Sequence, residues 1–276
     1  MLTTVAFLSL SLAPTQGQSS LTLSNPRATY GELGSARPET KFLPGDIFFL
    51  SFDIDGITVS EAGRVKYGMA MEVVDSANKS IFKQQPVERE DFLPLGGTKL
   101  PARSWVSIGV EQPPGVYTCR VTVTDLSSKE KSVSKTLEQK FEVLPRAFGI
   151  VQLYSAADLE GKIPAPLVGI AGQSMFVHFA VIDFQRSKEK GDQPDITIEM
   201  VVYDKDKKPT LAAPTKKSIP DEADGKVDPK IVGVPMRFLV PLNREGGFLI
   251  ELKATDNVSK KVSQVYLPLR VFPAVN

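Results

Sequence analysis

Three clusters of acidic residues are the stretches of this sequence whose residue types and spacing could do chemistry. Carboxylate and hydroxyl oxygens that lie close together are the ligands that Ca²⁺ prefers, and such a site needs no histidine or cysteine. The clusters comprise Asp53, Asp55, Ser60 and Glu61; Asp204 and Asp206; and Asp221, Glu222, Asp224 and Asp228.

None of these clusters completes the twelve-residue loop pattern of a calcium site. Lys205, Lys207 and Lys208 accompany the second cluster and oppose a divalent cation. Aspartate and glycine also form ordinary turns, which explains the three stretches equally well. We therefore assign no metal-binding residues, and calcium at the first or the third cluster stays open as an alternative.

Nucleophilic catalysis and zinc binding have few candidates. The chain has one histidine, His178, and one cysteine, Cys119, whereas a triad needs a base beside its nucleophile and a zinc site needs several such ligands. His178 falls on the outward face of its strand, at the position that corresponds to Ser51, and we expect it to be solvated. Cys119 falls on an apolar face, where we expect a buried thiol without a disulfide.

The sequence shows equally few signs of other kinds of catalytic site. No glycine-rich loop of the kind that cradles phosphate is present, and we expect the acidic residues to lie in turns and on exposed faces. Carboxylate-only acid–base chemistry stays an alternative. The sequence thus indicates neither catalytic residues nor a cofactor, and we predict that the protein is not an enzyme.

Exposed aromatic rings and basic patches are the usual signs of sugar and nucleic-acid binding. Phe49 and Phe176 occupy equivalent outward positions, and Trp105 is the only tryptophan. The chain has 33 basic and 32 acidic residues. Its basic residues are interleaved with acids at 186–190, 205–208 and 216–217, with few aromatic neighbours, so we expect no nucleic-acid partner.

The elements that would position these residues have the period of β-strands. Apolar residues alternate with polar ones in stretches bounded by glycine and proline, whereas a loop is expected from Pro26 to Lys41. The predicted inward residues are Phe48, Leu50, Phe52 and Ile54; Tyr67, Met69, Met71 and Val73; Val106, Ile108 and Val110; Tyr117, Cys119, Val121 and Val123; Met175, Val177, Phe179 and Val181; Ile196, Ile198, Met200 and Val202; and Phe238, Val240 and Leu242.

The same blocks recur in the second part of the chain. The stretch 115–125 begins with glycine and ends with Thr-Asp, and so does the stretch 246–256. Five blocks repeat in the same order about 130 residues apart, which is typical of an internal duplication. The boundary between the copies falls near 144–149.

The segment 115–125 has the sequence Gly-Val-Tyr-Thr-Cys-Arg-Val-Thr-Val-Thr-Asp. It resembles the penultimate strand of bacterial immunoglobulin-like, fibronectin-III-like and macroglobulin-type domains. The Tyr117-x-Cys119 spacing resembles the tyrosine corner of immunoglobulin domains, in which the hydroxyl bonds backbone near the strand entry. Three features depart from the pattern: Cys119 has no partner cysteine, Trp105 is not placed before Cys119 as an immunoglobulin core tryptophan would be, and Phe248 replaces the tyrosine in the second copy. The resemblance implies an all-β protein of two tandem immunoglobulin-like antiparallel β-sandwich domains, at 18–146 and 147–276.

Residues 1–17 are predicted to be a signal peptide. The apolar run 5–13 is too short to span a bilayer and is followed by small or polar residues, although 1–4 lack the usual positive charge. We expect a secreted or periplasmic protein with no transmembrane segment in the mature chain.

These observations favour a non-catalytic structural or protein-interaction module of the cell envelope, with a protein partner. A carbohydrate-binding module or a periplasmic assembly factor is the alternative. Because function in β-sandwiches is usually carried by loops, we expect it at 183–192 and 209–234. The oligomeric state is left open.

Overall fold

The structure is a computed structural model that describes residues 21–127, 132–220 and 226–274. The described residues are all-β and are arranged in five sheets, which is consistent with β-sandwich packing. No helix in these ranges is long and apolar enough to cross a membrane. The predicted signal peptide at 1–17 lies outside the described residues.

The N-terminal half of the chain forms two sheets. A three-stranded sheet has the order β1-β3-β6, and a five-stranded sheet has the order β2-β8-β7-β4-β5. The strands are β1 Thr22–Thr29, β2 Lys41–Phe42, β3 Ile47–Asp55, β4 Arg64–Val74, β5 Ser80–Phe92, β6 Lys99–Ser107, β7 Gly115–Asp125 and β8 Val133–Val143.

The C-terminal half has the same arrangement. Its three-stranded sheet has the order β16-β11-β9 and its five-stranded sheet the order β10-β18-β17-β14-β15, with a small β12-β13 hairpin added. Its strands are β9 Gly149–Ala156, β10 Val168–Ile170, β11 Ser174–Ile182, β12 Arg186–Ser187, β13 Gln193–Pro194, β14 Ile196–Tyr203, β15 Thr215–Ile219, β16 Gly233–Pro241, β17 Gly246–Asp256 and β18 Val262–Phe272.

Each half encloses an apolar cluster between its two sheets. The inward residues predicted for β3, β4, β7, β11 and β16 are all buried, because strict alternation places every second side chain on one face. Two predicted positions differ: Val110 lies beyond the end of β6 and is exposed, and Val202 is only partly buried.

The loop expected from Pro26 to Lys41 is only partly a loop. Strand β1 continues to Thr29, and its pairing with β3 shifts register between Ser24 and Arg27, where Asn25 has a φ of +52°. This bulge lets the strand pass through Pro26, a residue that cannot donate to the ladder. Gln152 has the same conformation, with a φ of +53°, at the corresponding register shift between β9 and β11.

The two halves contact each other directly. Tyr30 follows β1 but belongs to the apolar cluster of the C-terminal half. Leu43 packs against Val151, Ala180 and Ile182 on the outer face of the sheet that contains β9 and β11. The three-stranded sheet β16-β11-β9 is therefore apolar on both faces where it contacts Leu43. A separate β-sandwich would instead present a solvated outer face.

Asp46 is the polar centre of the contact between the halves. Its buried carboxylate accepts a 2.7 Å hydrogen bond from the backbone amide of Gln152 and forms a 2.8 Å ion pair with Arg37. The Arg37 guanidinium lies over the rings of Tyr30 and Phe42, at 4.7 and 4.3 Å from their centroids. A cation between two rings and beside a carboxylate is strongly held.

Candidate binding groove

A groove of about 690 Å³ lies where the two halves meet, and this volume is within the range of ligand sites. One wall comes from the N-terminal half and the others from the turn after β14, the start of β17, the end of β18 and the approach to β10. The groove is lined by residues of 33–35, 166–168, 204–207, 247–249 and 268–270.

The walls of the groove are mainly apolar. Leu33 and Val168, which line the groove, are exposed by 42% and 45% of their surface. Leu249 and Pro268 pair across the ladder and form an apolar strip on the outer face of the sheet. The neighbouring pair, Phe248 and Leu269, faces the core, where Leu269 is buried in the C-terminal cluster.

The rim of the groove is cationic. Lys205, Lys207 and Arg270 line it, and the Arg244 guanidinium lies 5.2 Å from the centroid of the Phe248 ring. Among the residues that the structure describes, none of these four cations forms an ion pair. The groove therefore combines an apolar surface with basic groups, of which Arg244 helps to lower the pKa of the Asp204 carboxyl.

Asp204 is the acidic residue of the groove lining, and its carboxylate is used by the turn that carries it. One carboxylate oxygen accepts hydrogen bonds from the amides of Lys208 and Asp206, at 3.0 and 2.9 Å. The bond from the Lys208 amide is the main reason that the pKa of Asp204 lies below its usual range. Asp75 holds the equivalent turn of the N-terminal half in the same way, so the second acidic cluster is explained by turn formation.

The first acidic cluster is compensated by a lysine. The ammonium group of Lys99 lies 2.9 Å from the carboxylate of Asp53 and 3.8 Å from that of Asp55. Burial raises the pKa of Asp53, but hydrogen bonds from Asn25 and Lys99 outweigh it, and the net shift is downward. Ser24 donates to Asp55.

The other members of the acidic clusters are dispersed. The hydroxyl of Ser60 accepts a bond from the amide of Arg64, and Glu61 is exposed. Asp228 accepts a 2.8 Å bond from the amide of Lys230 in an exposed turn. The remaining residues of the third cluster, Asp221, Glu222 and Asp224, lie outside the described residues. Within the described ranges, no three Asp, Glu, His or Cys side chains converge as a metal-ligand set.

The prediction that His178 is solvated was wrong. Only 8% of its surface is exposed, because its ring stacks on Tyr154 with centroids 5.0 Å apart and planes 10° apart. The segment after β9 covers the stack, and the ring nitrogen Nε2 lies 3.4 Å from the backbone oxygen of Asp158. Sequence alternation correctly placed the side chain on the outer face but could not show that a loop covers that face.

The predictions for Cys119 and Tyr117 are confirmed. Cys119 is fully buried, and burial raises the pKa of its thiol to about 12. The hydroxyl of Tyr117 donates a 2.7 Å bond to the backbone oxygen of Pro113 and accepts one from the side-chain amide of Gln112. This is the backbone bond of a tyrosine corner.

Several carboxylates expected in turns or on exposed faces are buried instead. Asp125, at the end of β7, accepts a bond from the amide of Thr58, and Asp256, at the end of β17, accepts one from the amide of Gln185. Each bond joins the end of a strand in the five-stranded sheet to the loop that leaves the three-stranded sheet. The Thr-Asp ends of the repeated stretches therefore have a structural role in both halves.

The three aromatic residues considered for sugar binding are not all together. Phe49 and Trp105 pair across β3 and β6 with ring centroids 6.4 Å apart, and 53% of the Trp105 surface is exposed. Phe176 lies on the other three-stranded sheet, near His178. An aromatic surface on which a sugar could stack would therefore consist of two rings, those of Phe49 and Trp105.

The two loops predicted to carry function contact each other rather than the groove. Arg186 donates to the backbone oxygens of Asp192 and Asp228, and Gln193 exchanges hydrogen bonds with the backbone of Val227. The sequence did not point to the groove, because its lining comes from five separate segments, and the residues that had drawn attention, at 204–208 and Phe248, did so for other reasons.

Comparison with known proteins adds no identification. The chain matches no protein-family model and no curated protein sequence.

Proposed function

We propose that this chain is a non-catalytic, exported interaction protein of the cell envelope, built from two tandem immunoglobulin-like β-sandwich domains, and that it binds a protein partner in the groove between them. The groove carries this proposal, because both halves contribute to it and its apolar walls are exposed. A concave, mainly apolar surface with a few polar groups is the usual form of a binding site. The apolar run near the N-terminus supports export.

An origin by duplication is supported by details below the level of strand order. Asn25 and Gln152 form equivalent bulges, and Asp125 and Asp256 make equivalent bonds. Alternation alone is common among β-sandwiches, whereas the shared positions of a left-handed residue and of a buried carboxylate favour duplication. The domain boundaries proposed are 18–146 and 147–276.

A non-catalytic role is supported by where the reactive groups are. Cys119 is buried, His178 is stacked under a loop, and the carboxylates of Asp46, Asp125 and Asp256 accept bonds from backbone amides. Each of these groups is occupied by a structural contact, which leaves it unable to approach a substrate.

The proposal is tested with a substitution inside the groove and a matched one outside it. Leu249→Asp places a charge on the apolar strip, whereas Leu239→Asp changes an exposed leucine of β16 that does not line the groove. Chemical crosslinking in an envelope extract should give a product with the wild type and with L239D that L249D no longer forms. Equal crosslinking by all three folded proteins would place the partner elsewhere.

Carbohydrate binding is a second candidate, supported by the Phe49–Trp105 pair. Since Trp105 is the only tryptophan, its fluorescence reports directly on that surface. Titration with soluble cell-wall glycans should shift the emission if a sugar stacks there, and Trp105→Ala should abolish retention on the immobilised glycan. An emission spectrum that no glycan changes would remove this candidate.

A further inference from the structure

We infer that the outer face of the sheet β1-β3-β6 binds a neutral oligosaccharide, with one sugar ring on Trp105 and a neighbouring one in a polar cavity beside it. This inference rests on the second candidate function proposed above, and it adds the charge class of the sugar and the residues that hold its hydroxyl groups. It follows from the rows of side chains on this face, from the cavity, and from a comparison with the same face of the C-terminal half.

Two adjacent rows of outward side chains cross this face. Phe49 and Trp105 pair across β3 and β6 in the first row. The second row consists of Arg27, Ser51 and Arg103, which are paired across all three strands. The two rows are two residues apart along each strand, which is about 6.7 Å. The aromatic rings and the arginines therefore lie side by side, where one ligand can contact both.

A cavity of about 160 Å³ lies in the second row. Ser51 is in its floor with Arg27 and Arg103 on either side, and Pro101 and the segment 32–34 contribute to the rest of its lining. Sites for whole drug-sized ligands are larger, at about 300–1,000 Å³. This cavity therefore takes one ring of a ligand whose remainder lies on the two aromatic side chains.

The charged groups in and beside the cavity are of both signs. The Nε atom of Arg103 lies 3.1 Å from a carboxylate oxygen of Glu32. Arg27 donates a 3.0 Å hydrogen bond to the backbone oxygen of Asn25 and interacts electrostatically with Asp53. Mixed charges of this kind give no preference for an acidic or a basic ligand. A hydroxyl group both donates and accepts hydrogen bonds, so it finds partners of either type there.

The corresponding face of the C-terminal half is closed. Its equivalent row, which is paired in the same order, consists of Tyr154, His178 and Arg237. The rings of Tyr154 and His178 stack on each other, and the segment after β9 covers them, so that 8% of the His178 surface is exposed. In that half the row has a structural role.

The face of the N-terminal half is open because the equivalent segment packs elsewhere. After β1 the chain turns toward the C-terminal half, where Tyr30 joins the apolar cluster and Gly31 lies against Tyr154. As a result, 53% of the Trp105 surface is exposed, although tryptophan is highly buried on average. In ligand sites, rings give contact area and a few polar groups fix the orientation, and this face offers both.

A pyranose ring suits the two rows because its C–H face is apolar while hydroxyl groups project from its edge. Stacked on Trp105, such a ring directs hydroxyl groups toward Ser51 and Arg103. Since these side chains stand on paired strands, the site is formed before the sugar binds, and little ordering cost arises.

The emission of Trp105, the only tryptophan, tests the inference in the full-length mature protein. The probes are tetrasaccharides in matched pairs: glucan, galactan and mannan against the corresponding uronic acids, and N-acetylated chitin against its cationic deacetylated form. At least one neutral probe should shift the emission saturably, and its charged counterpart should bind no more tightly. The affinity of the neutral probe should change by less than about twofold as salt is raised, because salt screens charge interactions alone.

Substitutions in the second row locate the sugar. Arg27→Gln and Arg103→Gln each remove a charged hydrogen-bond donor and should weaken binding of the neutral probe by about tenfold. The matched control Arg237→Gln makes the same change at the equivalent position of the closed face and should bind like the wild type. Calorimetry, which needs no tryptophan, should detect no binding by Trp105→Ala.

The possible outcomes separate the inference from the proposed functions. If no neutral probe binds, or if a charged counterpart binds more tightly, the inference is overturned. If W105A loses binding while R27Q and R103Q bind like the wild type, the rings alone hold the sugar: the carbohydrate candidate is kept and the cavity is rejected. Binding by W105A at the wild-type affinity would reject both. If no probe binds and W105A loses the crosslink in the envelope extract, this face contacts the protein partner instead.

Discussion

The backbone amide of Gln152 donates a 2.7 Å hydrogen bond to the carboxylate of Asp46. The two residues belong to different halves of the chain, and the same carboxylate pairs with Arg37. One buried side chain thus connects a bulge of the C-terminal half to an arginine of the N-terminal half. Arg37 closely follows residues 33–35, which form one wall of the groove.

Replacement of Asp46 by alanine should lower the free energy of unfolding by about 3–5 kcal/mol, because it leaves Arg37 buried without its carboxylate. Urea unfolding measures this loss. The exposed pair of Arg120 and Glu138 is the control, since Glu138→Ala should cost about 1 kcal/mol or less. A similar loss in both variants would show that Asp46 does not have this role.

Stability should depend on pH through Asp256. Burial raises the pKa of this carboxyl, but bonds from Ser259 and from the amides of Gln185 and Val258 outweigh it and bring the pKa below 3.8. A pKa lowered by folding means that ionised Asp256 stabilises the native state above pH 3.8 and that this stability is lost as pH falls through the folded-state value.

Asp256→Asn should therefore be less stable than the wild type at neutral pH, by about 1.5–3 kcal/mol, and the difference should narrow as pH falls from about 5 to about 2. Denaturant unfolding at a series of pH values tests this. Asp206→Asn, in an exposed turn, should keep the wild-type slope. A constant difference between Asp256→Asn and the wild type would contradict the assignment.

A side chain at Gly31 should disturb the junction. Gly31 has a φ of +76°, and a Cβ there would overlap the Cβ of Tyr154. Gly97 has a similar φ of +82° but has nothing within 4 Å of such a Cβ. Both alanine variants carry backbone strain of about 1–3 kcal/mol, so a larger drop in melting temperature for G31A measures the overlap alone. Equal drops would show that the segment can move aside.

Loss of the tyrosine corner should cost a modest amount. Tyr117→Phe removes the donor to the oxygen of Pro113 and should lower the free energy of unfolding by about 0.5–1.5 kcal/mol. Tyr266→Phe, on a half-exposed ring, should change it much less. If the two variants unfold at the same denaturant concentration, the Tyr117 bond does not stabilise the fold.

The thiol of Cys119 should be unreactive in the native protein. With its pKa raised to about 12 by burial, it provides almost no thiolate at neutral pH. A chromogenic disulfide reagent should label it only under unfolding conditions, which makes labelling a measure of global opening. Fast labelling without denaturant would show that β7 separates from its neighbours.

Those parts of the fold that depend on strict alternation could be predicted from the sequence. β7 and β17 alternate buried with more exposed residues, and this period identifies both strands and favours the proposed duplication. Strand β5 could not be found this way, because nearly all of its side chains are exposed and Pro86 lies at a bulge in its pairing with β4. A strand without a buried face has no alternating signal.

The groove could not be predicted, because no single stretch of sequence contains it. Leu33 and Leu249 lie far apart in the chain, and each is an ordinary apolar residue in its own segment. The burial of His178 is a similar case, since the covering loop leaves no mark on the period of β11. Residues of this kind acquire their surroundings only from long-range packing.

The place of Tyr30 has a consequence for the order of folding. The ribosome synthesises this residue early, but the cluster in which it is buried consists mainly of residues from Phe148 onward. During synthesis the sheets of the N-terminal half can form before the C-terminal half exists, yet the segment around Tyr30 has no apolar site until the rest of the chain has been made. That segment, and with it one wall of the groove, therefore reaches its final packing only after the rest of the chain has been synthesised.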